Sequence, residues 1–173
     1  MTTTAPTDHR IADLVAALRV ATGRPGSDAA VAARVAATLA EQPGLPLLGE
    51  LRGTPERVAG HLLHAERDLS VLALVWLPGQ VTSIHDHLCW CVVHVAHRTV
   101  RETRFRVEGA GLTTTGSRPR AAGATSVLVP PDDIHRIGND TLDTAVTLHV
   151  YGMDLRTGSS TRRRYLDVAR GVA

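Results

Sequence analysis

Leu69-Ser-Val-Leu-Ala-Leu-Val-Trp76-Leu-Pro78-Gly79-Gln-Val-Thr-Ser-Ile-His85-Asp-His87-Leu-Cys-Trp-Cys91-Val-Val-His-Val-Ala-His97 sets short apolar, β-branched runs around a Pro-Gly turn pair. The same grammar continues downstream. Turn signals recur at Glu108-Gly109, Gly116-Ser117, Ala122-Gly123, Pro130-Pro131-Asp132-Asp133, Gly138-Asn139 and Gly152, a spacing of about 8–12 residues that marks all-β folds. The pattern predicts strands near 69–77, 81–86, 89–97, 100–108, 111–116, 125–130, 134–138 and 144–151. So many short antiparallel strands point to an all-β fold, a small barrel or jelly roll.

Upstream the periodicity is helical. Asp8 is the expected cap of a helix carrying Ile11, Leu14, Val15 and Leu18 and ending near Gly23. Ser27 caps a second, with Val31, Val35 and Leu39, stopped by Pro43-Gly44. Thr54-Pro55-Glu56-Arg57 opens a third through Val58, Leu62 and Leu63. The expected organisation is a single domain with an N-terminal helical cap over 1–66, a β-barrel over 67–155 and a C-terminal tail over 156–173.

Composition narrows the function classes. With 43% hydrophobic and 21% charged residues the chain has ordinary globular make-up, which excludes a largely disordered protein. Its longest apolar run, Val71–Leu77, is far short of the roughly 20 residues of a membrane span. The N-terminus lacks the charged-then-apolar pattern of a leader, so a cytoplasmic location without a membrane partner is expected. The 19 basic residues, all arginine, against 17 acidic leave a charge of +2, too balanced for a nucleic-acid partner. Arg162-Arg163-Arg164 lacks interleaved aromatics and reads as a solvated tail. Cys89 and Cys91, two apart on a strand, lie about 6.5–7 Å from each other, at the limit of disulfide geometry, and read as reduced thiols.

Chemistry concentrates at His85 and His87. Two positions apart on a strand, their imidazoles share a face, and imidazole ligates Fe, Zn, Cu and Ni. Alone, the pair is a weak metal signal and reads more readily as two hydrogen-bonded or exposed histidines. His135 follows a turn-rich segment, and barrel closure would bring it beside them, giving three histidines with open coordination positions. Thr147, His149 and Tyr151 alternate on one strand and face one way, as a buried polar ladder or as a functional row. Cys91 and Cys89 share the parity of His85, and Trp76 and Trp90 read as core or cavity wall.

Gly79-x5-His85-x-His87 is similar to the first motif of the cupin superfamily, and Pro130, His135 and Asn139 stand at the spacing of the second, with Gly123 one residue off its usual place. Most cupins carry a glutamate ligand four or five residues after the His-x-His, where this chain has Cys91 and Val92. A cupin with three histidines and no such glutamate resembles the cysteine dioxygenase family of thiol dioxygenases. Trp76-Leu-Pro-Gly79 leading into Ser83-Ile-His-Asp-His87 matches that family, as do Arg101-Glu102-Thr103, His135-Arg-Ile-Gly-Asn139 and Thr147-Leu-His149-Val-Tyr151. The likeness spans about residues 55–165.

The resemblance implies the cupin double-stranded β-helix. It implies Fe(II), or Ni(II) in its place, held by His85, His87 and His135, with O2 as co-substrate and a sulfinate as product. The expected partner is a small thiol, L-cysteine first, acted on by a monomer or homodimer. Thr147, His149 and Tyr151 match a Ser-His-Tyr relay with threonine in the serine position, the tyrosine hydroxyl directed at the substrate. Cys91 matches a cysteine that in some members forms a thioether with the tyrosine; many bacterial members have glycine there, so a thioether and a packed thiol both stay open.

Two departures qualify the substrate. The family's carboxylate-binding arginine or glutamine aligns with Gly60, which leaves Arg57, Arg67, Arg104 or Arg163 to replace it. Arg98 stands where the first motif ends in a glycine of a tight turn, which predicts a reshaped hairpin. These departures keep open a specialised cupin that oxidises L-cysteine beyond the sulfinate, toward a sulfonamide. A metal-dependent isomerase or carbon dioxygenase and a non-catalytic binding cupin stand further off, because fold alone does not decide function.

Overall fold

The computed structural model describes residues 6–41 and 51–166. Helices α1 (Pro6–Thr22) and α2 (Asp28–Ala40) precede ten strands: β1 (Ala59–Glu66), β2 (Leu69–Trp76), β3 (Ile84–His87), β4 (Cys91–His97), β5 (Thr99–Glu108), β6 (Gly111–Ala121), β7 (Thr125–Leu128), β8 (His135–Gly138), β9 (Ala145–Tyr151) and β10 (Thr161–Tyr165). They form two antiparallel five-stranded sheets, ordered β1-β2-β9-β4-β7 and β10-β3-β8-β5-β6.

The two-residue period of a strand explains how the first sheet serves two layers. On β9, Val146, Leu148 and Val150 pack with Leu14, Leu18, Val35 and Leu39 of the helices. Between them, Ala145 and Tyr151 belong to a second cluster with Trp76, Cys91, Val93 and Ile137 inside the barrel. The helices therefore form a layer on the outer face of the first sheet. Leu18, Leu39 and Leu148 are wholly buried there, and truncating one to alanine costs about 2–5 kcal/mol. Ser27 caps α2 as expected, accepting from the Ala30 N–H. Asp8 falls inside α1 rather than at its cap, and Pro43-Gly44 lies outside the described residues.

Several expectations change. The third helix is absent: Thr54 and Arg57 close a turn, with the Thr54 hydroxyl donating to the Arg57 carbonyl, and the chain enters β1. Tertiary pairing overrides the local pattern, because β2 needs a neighbour and Arg67-Asp68 makes a two-residue hairpin turn between Glu66 and Leu69. The sheet thus begins at Ala59 rather than at 67, and the tail beyond 156 supplies β10. Gly116 does not end β6; it marks the bulge where Arg104 pairs with Gly116 and Phe105 with Thr114. Arg98 makes no hairpin either. It is the corner between β4 of one sheet and β5 of the other, and it adopts a left-handed φ of 62° itself. No helix among the described residues is long and apolar enough to cross a membrane.

Candidate metal centre

Strand β3 turns His85 and His87 inward and β8 supplies His135, the register partner of His85. One ring nitrogen from each of the three lies within 4.8 Å of the others. Asp86 points the other way, where it accepts from the Arg163 N–H at 2.7 Å and the Tyr165 hydroxyl at 2.9 Å and so fastens β10 to β3.

Partners behind the rings decide which nitrogen is available. Nδ1 of His85 lies 2.9 Å from the Ser83 carbonyl, and Nδ1 of His87 lies 2.9 Å from Oδ2 of Asp133. A carbonyl and a carboxylate only accept, so both Nδ1 atoms carry the ring proton and both Nε2 atoms keep a lone pair. His135 Nδ1 stands 3.6 Å from Oε1 of Glu102, too long for a hydrogen bond but the same arrangement in outline. Burial, with His135 beside it, pulls His85 down to about 4. Burial also lowers His135, against the opposing charge of Glu102. Burial thus favours the neutral form of both His85 and His135. Three imidazoles suit a first-row divalent metal and leave coordination positions free.

The two carboxylates are held ionised. Burial works to raise Glu102, but His135, a 2.6 Å hydrogen bond from Ser126 and the Arg104 charge outweigh it and hold it below its ordinary value. Burial likewise opposes Asp133, and the two hydrogen bonds from His87 outweigh that effect. Sequence reading missed Asp133 as a support of the site. Its one signal was an acidic residue two positions before His135 in the Pro-Pro turn segment.

Opposite the cluster, β9 presents a polar row. Trp76 Nε1 lies 2.8 Å from Thr147 Oγ1, which lies 2.9 Å from His149 Nε2, and His149 Nδ1 lies 3.3 Å from the Tyr151 hydroxyl. Burial, with His135, His87 and His85 nearby, pushes His149 well down. Burial, with Cys91 beside it, pushes Tyr151 well up. The Tyr151 ring is 6.0 Å from that of His87.

Cluster and row meet in a cavity of about 600 Å³. His85, His135, His149 and Tyr151 face it, with Val58, Leu62, Leu72, Leu74 and Trp76 as an apolar wall. Its two arginines are Arg57 and Arg164. Among the expected substrate arginines, Arg57 is thus in the wall, but the three others are not. Arg67 sits on the hairpin turn, 92% exposed and paired with Asp68, and Arg104 is held by Glu102 and the Val127 carbonyl. Arg163 is drawn to Asp86. Arg164 was not foreseen, because its triplet read as a solvated tail. Cys91 is fully buried outside the cavity wall, in register with Tyr151 across β4 and β9. Burial pushes its thiol well above the ordinary range. Gly60 shares strand parity with Leu62 of the cavity wall, and a Cβ there would lie beside Leu74 and Leu72 of the same wall.

No family profile matches the chain. Among solved structures, a cupin superfamily protein from Desulfitobacterium hafniense superposes with a TM-score of 0.50 at 14% identity, over 64% of this chain and 90% of its own. A Thermus thermophilus protein gives 0.49 at 22% identity, over 62% and 93%. A double-stranded β-helix protein from Klebsiella pneumoniae gives 0.49 at 15% identity, over 61% and 85%. The Desulfitobacterium superposition shows a cupin-type fold of two antiparallel sheets, here carrying three histidines placed to bind a metal.

Proposed function

We propose that this chain is a metal-dependent thiol dioxygenase that adds both atoms of O2 to the sulfur of L-cysteine or a related small anionic thiol. The reaction balances as R–S⁻ + O2 giving R–SO2⁻. The observation that carries the reading is the three-histidine cluster, two of whose rings, His85 and His135, line the same cavity as Tyr151. Neutral donors leave a bound divalent metal its full positive charge, which suits a thiolate. When bound, iron(II) supplies the acceptor for sulfur and the reactivity toward O2.

The chain's own residues do the rest. Leu62, Leu72, Leu74 and Trp76 exclude water from around the reacting sulfur. Arg164 on β10 and Arg57 in the turn before β1 offer the guanidinium fork a carboxylate needs. Tyr151, kept protonated by burial, stands ready to donate to an oxygen that gains charge. The reading is tested by loading the metal-free protein with Fe(II) under anaerobic conditions, then adding air and L-cysteine, 3-mercaptopropionate or mercaptosuccinate. Oxygen uptake is followed and products identified by mass. A gain of two oxygen atoms on one thiol is expected. Bound iron with no uptake from any thiol discards the reading, and a cysteine product other than the sulfinate moves the chain to oxidation beyond that stage.

A further inference from the structure

We propose that Trp76 sets the direction of the hydrogen-bond row on β9 and thereby makes the Tyr151 hydroxyl a donor into the cavity. The use of that donor rests on the proposed function; the direction itself is a property of these four side chains.

The direction follows from what each group can do. An indole N–H donates and never accepts, so at 2.8 Å the Thr147 oxygen is the acceptor. Thr147 is wholly buried, and among the described residues its side-chain hydrogen bonds run to Trp76 and His149. Its hydroxyl hydrogen therefore has one place to go, Nε2 of His149 at 2.9 Å. That nitrogen must carry a lone pair. The ring proton of the neutral imidazole then sits on Nδ1 and points at the tyrosine oxygen, 3.3 Å away. With its oxygen accepting from His149, Tyr151 keeps its own proton to donate, with Ser160 and Cys91 beside the hydroxyl and the cavity it shares with His85 and His135 in front of it.

The reverse direction would have Nε2–H donate to Thr147 alongside Trp76. The threonine hydrogen would then be buried without an acceptor, an arrangement that folded proteins avoid. A hydroxyl alone could not decide between the two, since it rotates to suit its neighbours. A donor-only group at the head of the row removes the choice. Trp76 is thus a positioning residue, acting through Thr147 and His149.

The experiment reads the His149 tautomer. Full-length protein labelled with 15N-histidine is loaded with diamagnetic Zn(II), and two-bond couplings from the ring protons report which nitrogen is protonated, with His149→Gln assigning the signal. Wild type is expected to show Nδ1–H alone, and Thr147→Ser to keep it. Trp76→Phe is expected to admit the Nε2–H form, because Thr147 becomes free to accept from it. Nε2–H in the wild type overturns the direction. A folded Trp76→Phe that retains Nδ1–H alone overturns the role of Trp76. Should phenylalanine not fold there, the benzothienyl analogue of tryptophan at position 76 removes the N–H at nearly constant shape and gives the same reading. Thiol oxidation is measured on the same proteins loaded with Fe(II) in place of Zn(II), which does not activate O2. An Nδ1–H protein that oxidises no thiol loses the proposed function and keeps this inference; an active protein with Nε2–H does the opposite.

Discussion

Asp133 grips His87 twice through a single oxygen: Oδ2 accepts the backbone N–H and the ring Nδ1–H, each at 2.9 Å. The side chain is almost fully buried, and its other oxygen, Oδ1, has no partner. Such an anchor fixes both the tautomer and the aim of Nε2. Asp133→Asn keeps the shape and an acceptor but removes the charge. It is expected to weaken divalent-metal affinity about 10–100-fold, the usual cost of losing a partner behind a ligand. Competition against a chromophoric chelator measures it, and wild-type affinity would show that the charge of Asp133 does not bear on the site.

Tyr151→Phe separates metal binding from chemistry. The hydroxyl is not among the ligand atoms of the cluster, so one metal per chain is expected to remain by elemental analysis. Oxygen uptake with the preferred thiol should drop about 10²–10⁴-fold, the range for a positioned proton donor. A variant that turns over at the wild-type rate removes Tyr151 from the reaction.

Much of this site was legible because strand parity is a local property. His85 with His87, and Thr147 with His149 and Tyr151, could be set on shared faces from their spacing alone, and the structure brings His85 of the first set and His149 and Tyr151 of the second to one cavity. What stayed hidden depends on pairing across the chain. β1 looked helical through Val58, Leu62 and Leu63 and became a strand because β2 requires a partner. β10, with three consecutive arginines, looked like solvated tail; it is a strand because Asp86 draws Arg163 and Tyr165 onto the edge of β3. Choosing Arg164 over Arg67 and Arg104 needed that pairing, which no spacing encodes.

Arg98 carries a local strain that can be relieved. Its φ of 62° lies in the left-handed region, which costs a non-glycine residue about 1–2 kcal/mol. Its contact with Asp143, 3.7 Å long with both side chains more than half exposed, returns little. Arg98→Gly is expected to raise stability by about 0.5–1 kcal/mol, part of the relief being offset by the more flexible unfolded chain. Chemical denaturation reads the change, and a lower midpoint at unchanged slope would mean that the corner depends on the arginine side chain.

His94 should make stability depend on pH. It is buried between β4 and the helical layer with Nδ1 unpartnered, and burial lowers its pKa. Below its ordinary value of 6.5 the unfolded chain takes up a proton that the folded chain refuses. Stability from this group is thus complete above pH 6.5 and declines as pH falls toward the folded pKa, by up to about 1.4 kcal/mol per pH unit. His94→Phe is expected to be neutral or stabilising at pH 7.5, since it removes an unsatisfied polar group. It should also flatten the loss of stability on acidification. Denaturation midpoints at several pH values measure both effects, and parallel pH curves for the two proteins would assign the acid sensitivity to other residues.

Gly60 and Arg164 together bear on how the substrate's anionic group is held. Arg164 lines the cavity, and its Nη1 stands 3.1 Å from the hydroxyl of Ser83, the residue whose carbonyl orients His85. A guanidinium tied there is close to the cluster, whereas Arg57 enters from the turn before β1. A hydrogen bond to a charged group contributes about 1.5–3 kcal/mol. Arg164→Gln is therefore expected to raise KM for an anionic thiol at least about 10-fold while kcat changes little, and Arg57→Gln to do less. Gly60 supplies the rescue. A Cβ there would meet Leu74 Cδ2 at 3.4 Å and Leu72 Cδ1 at 3.6 Å, ordinary contact or close to it, so a longer side chain can enter from β1. Gly60→Arg in the Arg164→Gln background is expected to bring KM back down, because a guanidinium again reaches the same cavity. Steady-state kinetics on the three variants decide the matter. An unchanged KM in Arg164→Gln together with a raised one in Arg57→Gln would transfer the anchor to the turn before β1.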